Sequence, residues 1–145
     1  MSLATLLDVN VLVASVYEWH VAHGLVHAWW KESEGKPWAT CPLTQAGLVR
    51  IISNPSFPPH PVNVAEALQL LTDITHRPGH SFWPMDISFA EAVQPFRDRL
   101  FGHRQVTDAY LLGLAIRNKG KLATLDRAIR AMAGREFAQY VTVLD

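Results

Sequence analysis

Ala4-Thr5-Leu6-Leu7-Asp8-Val9-Asn10-Val11-Leu12-Val13-Ala14 begins as a short apolar run, stops at an aspartate, and resumes with apolar residues at helical spacing. The opening run has the length of a buried strand. Asp is a favoured helix N-cap, because its carboxylate accepts from free backbone N–H groups and answers the helix dipole. The stretch therefore reads as strand, aspartate, helix. Two later segments end the same way, Gln105-Val106-Thr107-Asp108 and Leu122-Ala123-Thr124-Leu125-Asp126. In an open parallel sheet, ligands bind in the crevice beyond the carboxyl ends of the strands. Aspartates at three strand ends are then expected to converge there, however far apart they lie in sequence. Their mutual repulsion calls for a cation. An all-oxygen donor set suits a hard ion such as Mg²⁺, which is commonly held by one or two carboxylates together with substrate phosphate. That chemistry points to metal-assisted phosphodiester hydrolysis.

Outward from these segments, the chain alternates strand and helix. A helix is expected over Val9–Tyr17 and a second over Ala22–Glu34, ended by Gly35-Lys36-Pro37. Trp38–Cys41 reads as a strand, and Pro42 suits the first turn of a helix that runs to Ile52. The proline-rich stretch Phe57–Pro61 is a rigid connection, too short to divide the chain. Asn63 caps a helix through Ile74, terminated by Pro78-Gly79. Ser81–Trp83 is the third strand, followed by a helix over Ser88–Leu100 that Pro95 interrupts and another over Asp108–Asn118. Lys121–Thr124, a short helix over Arg127–Ala133, and a strand over Tyr140–Leu144 complete the series. This order predicts an α/β fold with a parallel sheet covered by helices.

With 145 residues, 49% of them hydrophobic, the chain fits a single domain over residues 1–145 with a substantial core. No apolar stretch approaches the roughly 20 residues needed to span a bilayer, and the start lacks a basic leader, so no membrane association and a cytoplasmic location are expected. Cys41 is the only cysteine, which excludes an intrachain disulfide and any CxxC metal or redox motif. The 13 basic and 13 acidic side chains cancel, unlike those of a strongly basic nucleic-acid binder. They are unevenly placed: residues 1–96 sum to minus four and residues 97–145 to plus four. The positive half is therefore the candidate surface for a polyanion.

Around the aspartates, Asn10 is placed to orient a ligand or water, and Thr107 and Thr124 to hydrogen-bond neighbouring aspartates or phosphate. Each also has an ordinary capping role. His23 and His27 share a helical face and carry a weak transition-metal signal, while His20 and His23 are candidates for the site rim. The tryptophans, Trp29 and Trp30 among them, suit core packing or a partner interface better than base stacking. The adjacent pair Trp29-Trp30 cannot share one narrow helix face.

Taken together, LLDVNVLVA at residues 6–14, PLTQAGLVRIISNP at 42–55, VTDAYLLGLA at 106–115 and LATLDRAI at 122–129 resemble the PIN-domain ribonucleases, and more closely the VapC toxins of bacterial toxin–antitoxin pairs. The resemblance implies a three-layer fold whose five-stranded parallel sheet has the order 3-2-1-4-5. It also implies a homodimer, Mg²⁺ or Mn²⁺, and endonucleolytic RNA cleavage, leaving 5′-phosphate and 3′-hydroxyl ends, restrained by a VapB-type antitoxin. Residue by residue, it makes Asp8 and Asp108 the principal metal ligands, Asp126 a further acidic ligand or a water positioner, and Asn10 and Thr124 supporting polar groups. Gln45 departs from the pattern, standing where the family usually has Glu. An amide can hold a water by hydrogen bonding but cannot act as a carboxylate base. A catalytically weakened module that still binds RNA or antitoxin is therefore the second reading.

Overall fold

Alternation along the first strand sets the layering, because Leu6 and Leu7 point to opposite faces of the sheet and both are fully buried. The computed structural model describes residues 3–32, 36–57 and 59–145. Five parallel strands, β1 (Thr5–Leu7), β2 (Trp38–Thr40), β3 (His80–Phe82), β4 (Lys121–Thr124) and β5 (Val141–Val143), lie in the order β3-β2-β1-β4-β5. This is the order the resemblance implied. On one face, Leu7, Trp38 and Ala123 pack under α1 (Val9–Val16), α2 (His23–Glu32), α3 (Pro42–Ile52) and α4 (Val64–Thr75). On the other, Leu6, Ala39 and Leu122 meet α5 (Phe89–Val93), α6 (Val106–Arg117) and α7 (Ile129–Phe137). Each fully buried Leu in these layers is worth about 1.5–3 kcal/mol. Among the described residues, no helix is long and apolar enough to cross a membrane.

Several expected boundaries move, for identifiable reasons. The helix expected over Ser88–Leu100 is α only over Phe89–Val93 and continues as a 3₁₀ segment, Gln94–Arg99, because Pro95 brings no N–H donor to the α-ladder. The expected short helix at Arg127 starts later, at Ile129, and runs to Phe137 across a kink at Gly134, whose φ of 65° is a backbone conformation open to glycine. The third strand begins one residue early, at His80, yet Trp83 N–H still donates to the Thr40 carbonyl. Gly35 lies outside the described residues, so the expected stop of α2 is not seen; its last described turn ends at Glu32.

α6 is the centre of its layer, with every residue from Ala109 to Ala115 buried. That burial requires close approach to α5. A Cβ at Gly113 would collide with the backbone of Ala92, so glycine is what lets the two helices touch there. The chain leaves β1 towards β2 and β3 beneath α1–α4, then crosses to the other side of β1 to form β4. The strand order thus reverses direction between β1 and β4, which is where an open α/β sheet leaves a crevice.

Candidate active site

Asp8 follows β1 at this reversal and caps α1, its Oδ1 accepting from Val9 N–H at 2.7 Å. Thr124 closes β4 on the other side, and its buried hydroxyl donates to Asp8 Oδ2 at 2.8 Å. One hydrogen bond therefore ties the two strand ends across the crevice. The same hydroxyl oxygen accepts from Asp126 N–H at 3.1 Å, fixing the turn that carries the second acid. Asp126 is exposed, and its Oδ1 accepts from Ala128 N–H at 2.9 Å.

Asp108 does not end a strand. It occupies the first turn of α6, preceded by a 3₁₀ turn over His103–Gln105. Val106 and Thr107 are too short a run to pair with the sheet, and both are exposed as the opening residues of a helix. The helix start still delivers Asp108 to the aspartate crevice. Burial, then the charges of Asp8 and Asp126, push its carboxyl up to about 7. Asp8 is also raised, by burial first; the Thr124 hydroxyl and Val9 N–H act against that, and Asp126 adds to it. Hydrogen bonding decides which acid takes the proton. Asp8 accepts two hydrogen bonds, and none to the Asp108 carboxylate occurs among the described residues. Asp108 therefore holds a proton more readily than Asp8 does.

These three carboxylates share one electrostatic field. Among the described residues, however, no three His, Cys, Asp or Glu side chains stand together as a ready-made metal cage. Asp8 and Asp126 spend oxygen lone pairs on backbone and hydroxyl donors. The donor set is nonetheless of the right kind for a hard divalent ion: oxygen only, partly buried, and with like charges that repel.

The supporting residues divide sharply. Thr124 is central, as described, whereas Thr107 is exposed in the first turn of α6 and hydrogen-bonds neither Asp108 nor another aspartate among the described residues. Asn10 is exposed in the first turn of α1. Gln45, near the start of α3, donates through Nε2 to Thr40 Oγ1 at 2.9 Å. Thr40 is fully buried at the end of β2, and its hydroxyl meets His80 Nε2 at 2.7 Å. The Thr40 hydroxyl thus links the Gln45 amide, from which it accepts, to the His80 ring. Burial lowers the His80 pKa, against a hydrogen bond to the Thr75 backbone that raises it, and so favours a neutral ring. Thr40 and His80 were missed in the sequence. A threonine just before Cys41 at a strand end was the one available sign, and nothing in the sequence tied it to a histidine 40 positions away.

The histidine cluster is structural. His23 Nδ1 bonds the Ala14 carbonyl at 2.6 Å, His20 Nδ1 accepts from Ala22 N–H at 3.0 Å, and His27 stacks on His23 at 5.8 Å. These contacts fasten α2 to the end of α1, and the three histidines form no metal-binding group among the described residues. Trp29 and Trp30 are both half-buried, with Trp30 packed edge-on against Trp38 at 5.0 Å. They line a cavity of about 490 Å³ by the strand starts Thr5 and Trp38, so it lies at the sheet edge opposite the aspartates.

The PIN domain family model matches residues 5–135. Ribonuclease VapC44 of Mycobacterium tuberculosis is 43% identical over 128 residues, covering 88% of this chain and 89% of its own. Ribonuclease VapC39 of the same organism is 40% identical over 127 residues, covering 88% and 91%. Among solved structures, VapBC2 from Rickettsia felis, bound to a DNA fragment from its promoter, superposes with a TM-score of 0.65 over 98% of this chain and 99% of the matched one. At 12% identity that likeness speaks for the fold alone.

Proposed function

This chain belongs to the PIN domain family, and we propose that it is a VapC-type toxin: a metal-dependent endoribonuclease that hydrolyses RNA phosphodiester bonds in the cytoplasm. The observation that carries the reading is the meeting of three acids at the reversal point, where burial first, and then the charges of Asp8 and Asp126, raise the half-buried Asp108 carboxyl to about 7. Carboxylates held together at such a cost serve chemistry better than structure.

Asp8, Asp108 and Asp126 would hold Mg²⁺ or Mn²⁺. When bound, the ion supplies charge to polarise the scissile phosphate and to lower the pKa of an attacking water. The protein's own contributions are positional. Thr124 holds Asp8 in one rotamer and the Asp126 turn in register, so the acids keep their spacing. Asp108, the acid without a hydrogen-bond donor, is the one free to take or release a proton near neutral pH. Asn10, exposed in the first turn of α1 two residues after Asp8, would orient an incoming RNA strand or a water. Gln45 gives its N–H to Thr40 and keeps its carbonyl oxygen as an acceptor. It therefore positions rather than acts as a base, and three aspartates supply the charge. This distribution, with the ribonuclease relatives at 43% and 40% identity, favours an enzyme over a binding module.

A VapB-type antitoxin is the expected partner. The expected homodimer would cover exposed apolar side chains at the α1–α2 connection, where Val21 is fully exposed and Trp19 and Leu25 partly so. The deciding experiment incubates the purified protein with single-stranded RNA, with Mg²⁺ or Mn²⁺ and with chelator. Cleavage should need the ion, leave 5′-phosphate ends, and fall to background in Asp8→Ala. Ion-independent cleavage that survives Asp8→Ala would overturn the reading.

A further inference from the structure

The turn that introduces α6 carries an aromatic side chain that the fold does not use. Phe101 is 87% exposed, although its neighbour Leu100 packs into the core. The turn is closed rather than loose: Phe101 N–H donates to Gln105 Oε1 at 2.9 Å, and Gln105 N–H to the Gly102 carbonyl at 3.1 Å. A closed turn presents Phe101 outward at little further entropic cost. Single exposed apolar residues are common and by themselves mean nothing. Position and charge set this one apart.

One turn of 3₁₀ and the first turn of α6 separate Phe101 from Asp108, a span on the order of 12 Å at the rises of those helices. Of the nine basic residues of this half of the chain, five are engaged elsewhere, and Lys119, Lys121 and Arg135, like Arg104, have no ion pair among the described residues but lie outside this turn. Arg99 donates to the carbonyls of Met132 and Ala133 at 2.7 and 3.3 Å. Arg117 pairs with Asp86, Arg127 and Arg130 with Asp145, and Arg97 with Asp98. Arg104, exposed in this same turn beside exposed His103, has no ion pair among the described residues. An outward aromatic face next to an uncommitted guanidinium matches a ligand that alternates π-faces and phosphates.

We propose that the turn Phe101–Arg104 is a substrate subsite in which Phe101 stacks on an unpaired base of single-stranded RNA near the cleaved bond and Arg104 contacts a phosphate. The proposal rests on the ribonuclease reading for its substrate, but its test is a binding measurement that does not need cleavage. In an Asp108→Asn background, anisotropy of a fluorescein-labelled, mixed-sequence single-stranded RNA is followed for Phe101→Ala, Phe101→Tyr and Arg104→Ala. Base stacking predicts a Kd about tenfold higher for Phe101→Ala and a return to within about twofold for Phe101→Tyr. Arg104→Ala should weaken binding and flatten the slope of log Kd against log salt by about 0.7, one phosphate contact on a single strand. An unchanged Kd in Phe101→Ala, or no binding of RNA by the parent, overturns the proposal. So does an unchanged Kd accompanied by a change in sedimenting mass, which would assign the turn to a second copy of the chain. If binding responds as described while the native protein cleaves no RNA, the subsite stands and the ribonuclease reading falls.

Discussion

Replacing Asp108 with Asn should make the metal-free protein more stable at neutral and alkaline pH, although it removes a residue proposed for the reaction. The folded carboxyl sits at about 7 against an ordinary 3.8. At about 1.36 kcal/mol per pH unit of separation, that gap is roughly 4 kcal/mol. Asp108 is only half-buried, and water screens part of the field, so about 2 kcal/mol is the working figure. One opposing effect is small: an acid in the first turn of α6 gains about 0.3–1 kcal/mol from the helix dipole, which Asn forgoes. Repulsion and desolvation win.

The pH dependence follows from proton counts. Below pH 3.8 the group is protonated folded and unfolded, and contributes no difference. Between 3.8 and about 7 the folded state keeps a proton that the unfolded state has lost, so rising pH erodes stability until the folded carboxyl also ionises. The advantage of Asp108→Asn should therefore be near zero at pH 4 and reach its full value by pH 8. For a chain of this length, about 2 kcal/mol is about 4–8 °C in Tm. Urea unfolding in chelator, with both proteins run at each pH, measures it. Adding Mg²⁺ at pH 8 should then stabilise the native protein more than the variant. A variant equally stable or less stable than the native protein at pH 8 in chelator would refute the claim that these acids repel across the crevice.

Thr124→Val keeps shape but removes the donor to Asp8 and the acceptor for Asp126 N–H; a loss of about 1–3 kcal/mol in urea unfolding at pH 8 is expected, together with reduced RNA cleavage. Gln45→Glu offers Thr40 an acceptor in place of a donor, so the Thr40 hydroxyl turns to the new carboxylate and leaves His80. The nearby negative charge should then raise the His80 pKa from its lowered position, and an NMR titration of the ring protons in both proteins reads this directly. Gly113→Ala forces a methyl against the Ala92 backbone where α5 and α6 touch; overpacking of about 1–3 kcal/mol should appear as a lower urea midpoint with an unchanged m-value.

The two threonines that precede aspartates show how far a sequence carries this site. Thr107-Asp108 and Thr124-Leu125-Asp126 look alike in a string, each an apolar run ending in a hydroxyl and an acid. One threonine is exposed in a helix start and the other buried at a strand end, where it joins β4 to β1. Local pattern does not distinguish them, because a first-turn acid and a strand-end acid satisfy the same capping preference. What separates them is pairing: Leu122 and Ala123 lie beside Leu6 and Leu7, whereas nothing pairs with Val106. The first strand, its cap and the layering were legible because alternation and capping are local. The strand order came from family resemblance, since periodicity says nothing of neighbours. The resemblance singled out Gln45, but its link to Thr40 and His80 was legible by neither route. Their chain depends on the parallel register that sets His80 beside Trp38, on the same face as Thr40 two residues on, so that the His80 ring reaches diagonally to the Thr40 hydroxyl across 40 positions of sequence. That register also gives the amide at position 45 a place in the fold. Thr40 is buried and must be hydrogen-bonded, and in this chain its partners are the Gln45 amide and the His80 ring. Gln45 is therefore matched to its neighbours on β2 and β3, and the charge of the site is left to the aspartates beside β1 and β4.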